Sequence, residues 1–139
     1  MESIRILMAE DDDVDAMAIQ RGFREAKILN EFVRAKDGIE ALEIMRGQNG
    51  HKTIAPPYVV LLDLNMPRMD GFAFLDELRQ DEKLQQMVVF VLTTSKDDED
   101  RMRAYSKCIA GYIVKSEAGK GFANLIAMLD YYWRIVILP

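Results

Sequence analysis

Five polar side chains each stand at the end of an apolar run, and together they have the makings of one reactive pocket. Glu10 and Asp11 follow residues 4–9, Asp63 follows 58–62, Thr93 follows 87–92 and Lys115 follows 112–114. Three carboxylates brought together repel and raise one another's pKa. A hard divalent cation relieves that repulsion, and an oxygen-rich site with few protein ligands suits Mg2+. An ammonium and a hydroxyl alongside would complete a pocket for a tetrahedral anion carried on one of the acids. Taken singly, each residue has a plainer role: an Asp after a strand commonly caps a helix, and a lone Lys there is commonly solvated. Acid, acid, hydroxyl and ammonium at the same end of four apolar runs is a pattern that capping alone seldom produces.

The runs that must position these groups alternate with segments of helical period. Residues 4–9 read as a first strand, and Asp13 as the cap of a helix to about Ala26 with Ile19, Phe23 and Ala26 inward. A weaker strand over 31–35 leads to Asp37-Gly38, which opens a helix holding Ile39, Leu42 and Met45. A polar loop over 48–57 contains His51, read as a surface residue, and closes at Pro56-Pro57. The continuous apolar run 58–62 marks a strand covered on both faces. A helix from near Asp70 carries Phe72, Leu75 and Leu78, and a second wholly apolar run spans 87–92. Four acids, Asp97 to Asp100, open a helix to about Lys107, where they favour the positive helix terminus. A short strand over 112–114 and a last helix from about Gly121, with Phe122, Leu125, Ile126, Leu129 and Trp133 inward, complete the series. Gly119-Lys120-Gly121 is read as the turn into that helix. Five strand-then-helix units predict an α/β fold with a parallel sheet and helices on both faces. Ligands of such folds bind outside the carboxyl ends of the strands, where the five polar groups lie.

With these residues in place, the sequence resembles the receiver domains of two-component response regulators. The acidic pair Glu10-Asp11, the segment VVLLDLNMPRMDG around Asp63, Thr93 30 residues further on and Lys115 another 22 on carry the likeness. It spans the whole chain, 1–139, as one receiver domain with a helical tail extension from about residue 131. The resemblance implies the flavodoxin-like receiver fold with strand order 2-1-3-4-5, and a phosphoryl group accepted on Asp63 from the phosphohistidine of a sensor histidine kinase. It further implies Mg2+ held by Asp11, Asp63 and the backbone carbonyl of Asn65, with Glu10 acting through water. Lys115 and Thr93 would meet the phosphoryl oxygens, and Tyr112 stands where the family often has a switching aromatic. The implied protein is a phosphoacceptor that signals by protein contact rather than an enzyme with a turnover of its own.

Two positions depart from that pattern. Ser116 follows Lys115 where the family usually has Pro, so a trans bond is expected there. Cys108 replaces the Gly that commonly closes the fourth helix, and a lone Cys is otherwise read as a small buried apolar residue. The last helix carries a second apolar stripe of Met128, Tyr131, Tyr132 and Ile135, before Ile137-Leu138-Pro139. That stripe predicts a homodimer interface. The ending YYWRIVILP and the loop before Pro56-Pro57 also resemble single-domain receivers that partner bacterial phytochromes, which makes a bacterial phytochrome a candidate kinase.

Composition narrows the alternatives. A net charge of −5 with no basic stripe argues against nucleic acid as a partner. No apolar run approaches the roughly 18 residues that span a bilayer, and the expectation is a cytoplasmic protein without a membrane partner. One cysteine excludes an internal disulfide. With all 139 residues taken up by the receiver pattern, no DNA-binding output domain is expected. A phosphatase of the haloacid dehalogenase type would need a second Asp two residues after the nucleophile, where this chain has Asn65. A receiver-like scaffold that works without phosphorylation would have no need of the full set Glu10, Asp11, Asp63, Thr93 and Lys115.

Overall fold

Apolar alternation and helix capping account for the architecture of the computed structural model, which describes residues 3–139. Strands β1 (Arg5–Ala9), β2 (Phe32–Ala35), β3 (Tyr58–Leu62), β4 (Val88–Thr93) and β5 (Gly111–Val114) form one sheet, ordered β2-β1-β3-β4-β5. Every pairing is parallel, with Leu7 opposite both Val33 and Val60 and Thr93 opposite Val114. Five α-helices alternate with the strands: α1 (Asp13–Glu25), α2 (Gly38–Arg46), α3 (Gly71–Gln80), α4 (Asp98–Tyr105) and α5 (Ala123–Ile135).

Successive side chains of a strand point to opposite faces, so a run that is apolar throughout feeds two cores. Ile6, Met8, Val59, Leu61, Phe90 and Leu92 pack with Ile19 and Phe23 of α1 and Leu125 and Leu129 of α5. Leu7, Val60, Leu62 and Val91 pack on the other face with Leu42 of α2, Phe74, Leu75 and Leu78 of α3 and Ala104 of α4. The strand-end residues sit between these two layers, in a frame that is buried on both sides.

Several boundaries differ from the sequence expectation for local reasons. The cap of α1 is Asp12, not Asp13: its Oδ1 accepts the N–H groups of Val14 at 2.8 Å and Asp15 at 3.1 Å. Ala26 is the C-cap residue and exposed, and Ala16 takes the inward position instead. Helix α5 begins two residues later than expected, at Ala123, because residues Lys115–Glu117 and Lys120–Phe122 form two 3-10 turns before it. The Lys115–Ser116 bond is trans; among the described residues the cis peptide is Pro56–Pro57.

Cys108 is the clearest correction. Its side chain is exposed rather than buried, and its backbone takes the left-handed φ of 60° that the usual Gly would adopt without strain. Arg79 of α3 holds this turn closed. Its guanidinium donates to the carbonyls of Lys107 (2.9 Å), Cys108 (2.8 Å), Gln85 (2.8 Å) and Met87 (2.8 Å). One cation thus ties the α3–β4 and α4–β5 connections together. Arg79→Ala strips four carbonyls of a charged donor, and solvent can replace only part of that. The expected loss is about 2 kcal/mol in a urea titration; a midpoint equal to wild type would show that Arg79 does not hold the turn.

Candidate functional site

Each candidate group reaches the pocket because its strand ends there. Asp63 leaves β3 with its N–H still in the sheet, donating to Ala9 O at 3.0 Å. Its side chain is buried, and Oδ1 accepts the Asn65 N–H at 3.4 Å. Glu10 is only 2% exposed. Its Oε2 accepts the Asp12 N–H at 3.3 Å, and its Oε1 lies 2.6 Å from Lys115 Nζ. Carboxylate oxygens of Glu10, Asp11 and Asp63 all lie within 4.8 Å of one another, with Asp11 facing solvent. Lys115 Nζ is 3.8 Å from Asp63 Oδ2.

The electrostatics reflect that crowding. Burial, and then the adjoining Asp63 carboxyl, push the Glu10 pKa up to about 8, against the pull of Lys115. Burial works against the charge on Lys115, yet Asp15 and Glu10 outweigh it and hold its pKa above the ordinary lysine value. A cluster whose burial and crowding raise the pKa of one of its carboxyls is short of positive charge. Three oxygens of hard character at this spacing fit a divalent cation of the Mg2+ type.

Two residues absent from the sequence reading belong to the site. Asp15, on the first turn of α1, places Oδ2 2.7 Å from Lys115 Nζ. Arg34, at the end of β2, donates to the Glu10 carbonyl from Nε (3.0 Å) and Nη2 (2.8 Å), and to Asp13 Oδ1 from Nη1 (2.7 Å). It braces the acidic loop that carries Glu10 and Asp11. The available signals were slight: one Arg in an otherwise apolar strand, and an Asp spaced one helical turn beyond Asp11.

The remaining candidates lie on the far side of Asp63. Thr93 is fully buried at the end of β4, and its Oγ1 accepts the Ser95 N–H at 3.3 Å. Tyr112 is half-buried, and its hydroxyl donates to Ser95 O at 3.0 Å. Ser95 Oγ in turn donates to Asp100 at 2.7 Å and accepts the Asp97 N–H at 3.2 Å. Thr93, Tyr112 and the start of α4 therefore meet at one residue. After β3, Arg68 donates from Nε (2.7 Å) and Nη2 (3.1 Å) to Asp37, which also caps α2. The Arg68 guanidinium holds the Asp37 carboxyl below the usual carboxylate range.

Helix α5 distributes the second stripe unevenly. Tyr131 and Ile135 are 69% and 78% exposed. Met128 and Tyr132 instead are half-buried against their own domain, Tyr132 meeting the Phe90 ring edge-on at 5.0 Å. Trp133 stacks on Phe23 at 6.3 Å, as an inward residue should. No helix among the described residues is long and apolar enough to cross a membrane.

Residues 6–128 match the response regulator receiver domain family. The chain belongs to the response regulator receivers. Response regulator Rcp1 of Synechocystis is 30% identical over 135 residues, covering 96% of this chain and 92% of Rcp1. The crystal structure of the Mn2+-bound form of Rcp1 aligns with a TM-score of 0.85, covering 98% of this receiver and 99% of that chain. The phosphorylated cyanobacterial phytochrome response regulator RcpA aligns at 0.88, with 29% identity and 99% of each chain covered. The receiver fold and strand order read from the sequence are thus those of the structure and its relatives.

Proposed function

We propose that this receiver accepts a phosphoryl group on Asp63 in a Mg2+-dependent reaction with a sensor histidine kinase, and passes the signal on by protein contact. The observation that carries this reading is the single pocket holding Asp63, two further carboxylates within 4.8 Å and the Lys115 ammonium 3.8 Å away. An Asp63 oxygen attacks phosphorus, the phosphorus–nitrogen bond to the donor histidine breaks, and an acyl phosphate forms on Asp63. Glu10, Asp11, Asp63 and the Asn65 carbonyl are the groups that would hold Mg2+, Glu10 through water. Bound there, the cation offsets negative charge on the transferring group. Lys115 supplies a fixed positive charge and Thr93 a hydroxyl for the phosphoryl oxygens. Tyr112, through Ser95, links that hydroxyl to α4. The likeness to RcpA, whose structure is that of a phytochrome response regulator, supports a bacterial phytochrome as the kinase.

Asp63 as acceptor leaves the chain a signalling protein rather than an enzyme with a separate substrate. The test is intact mass after incubation with Mg2+ and a small phosphodonor such as acetyl phosphate, with the expected gain of one phosphoryl group. Asp11→Ala removes a direct ligand and should weaken Mg2+ binding at least about tenfold, read by NMR titration. Shifts that spare residues 10, 11 and 63 would overturn the metal assignment.

The same reading includes a homodimer through α5 and the C-terminal residues beyond it. Tyr131, Ile135 and Ile137 are large, apolar and exposed, the first two one helical turn apart on α5, and a second copy can cover them. Met128 and Tyr132 contribute at its edge, since each is already half-buried. Tyr131→Glu with Ile135→Lys is expected to give a folded monomer, and the wild type a dimer at micromolar concentration in sedimentation velocity. A wild type that stays monomeric with and without a phosphoryl analogue would contradict the interface.

A further inference from the structure

Lys115 is drawn by three carboxylates, and the one it serves least is the acceptor. Its Nζ lies 2.6 Å from Glu10 Oε1 and 2.7 Å from Asp15 Oδ2, but 3.8 Å from Asp63 Oδ2, beyond hydrogen-bond range. Glu10 and Asp15 respond differently to a bound cation. Glu10 belongs to the carboxylate cluster with Asp11 and Asp63, so a cation held there weakens its grip on the ammonium. Asp15 stands outside that cluster. Its hold persists whatever the cluster contains.

Asp15 is also fixed in place. It sits on the first turn of α1, with its own N–H held by the Asp12 cap at 3.1 Å. Lys115, by contrast, is a point charge on a flexible four-carbon stem and can be re-aimed. The side chains of Lys115 and Asp15 are 10% and 27% exposed, so water screens the pair only in part. The contact spans 100 residues of sequence and joins the start of α1 to the β5–α5 connection.

Building on the phosphoacceptor reading, we propose that Asp15 is a positioning residue that parks Lys115 away from Asp63, in competition with the phosphoryl group. Lys115 must loosen from Asp15 to meet a phosphoryl oxygen on Asp63. Asp15 thereby tunes how tightly the activated form is held, without touching the phosphoryl group itself. It also means that activation slackens the link between α1 and the β5–α5 connection.

Beryllofluoride with Mg2+, a phosphoryl analogue, provides the probe, titrated into the full chain and followed by NMR. Asp15→Asn should bind it about fivefold more tightly than wild type, as expected for removing a partly screened competing ion pair. Asp15→Ser serves as a second variant should the first fold poorly, with thermal unfolding as the check on both. Glu117→Gln is the charge control: it neutralises an exposed acid two residues after Lys115 that forms no ion pair with it. The control should stay within about twofold of wild type. Unchanged or weaker affinity in the Asp15 variants overturns the proposal, and so does equal tightening in the control, which would signal bulk charge. A wild type that binds no beryllofluoride at all overturns the phosphoacceptor reading, and this inference falls with it.

Discussion

Asp63→Asn is expected to abolish phosphoryl incorporation while leaving the fold intact. The substitution keeps the size of the side chain, and its amide can still accept the Asn65 N–H now bonded to Asp63 Oδ1. It loses the carboxylate that would attack phosphorus, and an amide oxygen is too weak a nucleophile to replace it. No other carboxylate of the site offers the same combination. Glu10 is buried and engaged by Lys115 at 2.6 Å, while Asp11 faces solvent. Removing one of the crowded negative charges should also relieve repulsion within the pocket. Thermal stability without metal is therefore expected to be equal to wild type or higher. Intact mass with donor and Mg2+ reads the first effect and a melting curve the second. A variant that gains the same mass as wild type would move the acceptor elsewhere.

Gly71→Ala is expected to be strongly destabilising. Gly71 opens α3 directly behind the loop that carries Asp63, and its N–H donates to Leu64 O at 2.9 Å. A Cβ built there would lie 2.7 Å from the Asp63 carbonyl oxygen and 2.8 Å from Leu64 Cα. Both contacts are backbone, so no side chain can rotate out of the way. The loop or the helix must move, and the surroundings are buried on both sides. Overpacking of this kind costs about 3 kcal/mol, a large share of the stability of a domain this size. The displaced element carries Asp63 itself, so phosphoryl uptake should fall together with the urea midpoint. Wild-type stability with normal uptake would mean that the loop is looser than its packing indicates.

The legible part of this fold was the part with strong periodicity. β3 matches the apolar run 58–62 residue for residue, because a strand covered on both faces needs an unbroken apolar stretch. Asp37, Asp70 and Asp97 cap their helices where a short polar residue precedes a periodic segment. The acidic run Glu10 to Asp13 was harder, since any of its members could cap α1. Which one does depends on the direction in which the chain leaves β1.

Asp15 and Arg34 were out of reach for a related reason. Their roles come from register and approach: Arg34 lies opposite Met8 across the sheet, and Asp15 meets Lys115 only once α1 has packed. Cys108 misled because composition favours burial of a lone thiol. The actual determinant is the turn, whose strain is met by Arg79 from another helix. Helical spacing alone puts the α5 stripe on one face, but Tyr132 packs edge-on to Phe90 and Met128 joins the same core, which divides it.

Whether Asp63 carries the phosphoryl group is open to direct chemical test. Borohydride reduction converts an aspartyl phosphate to homoserine, so the modified residue can be located by peptide mass after treatment of the phosphorylated chain. Homoserine is expected at position 63, dependent on both donor and Mg2+. Homoserine at another aspartate, or a mass gain that survives as a phosphate ester on Thr93 or another hydroxyl, would contradict the assignment.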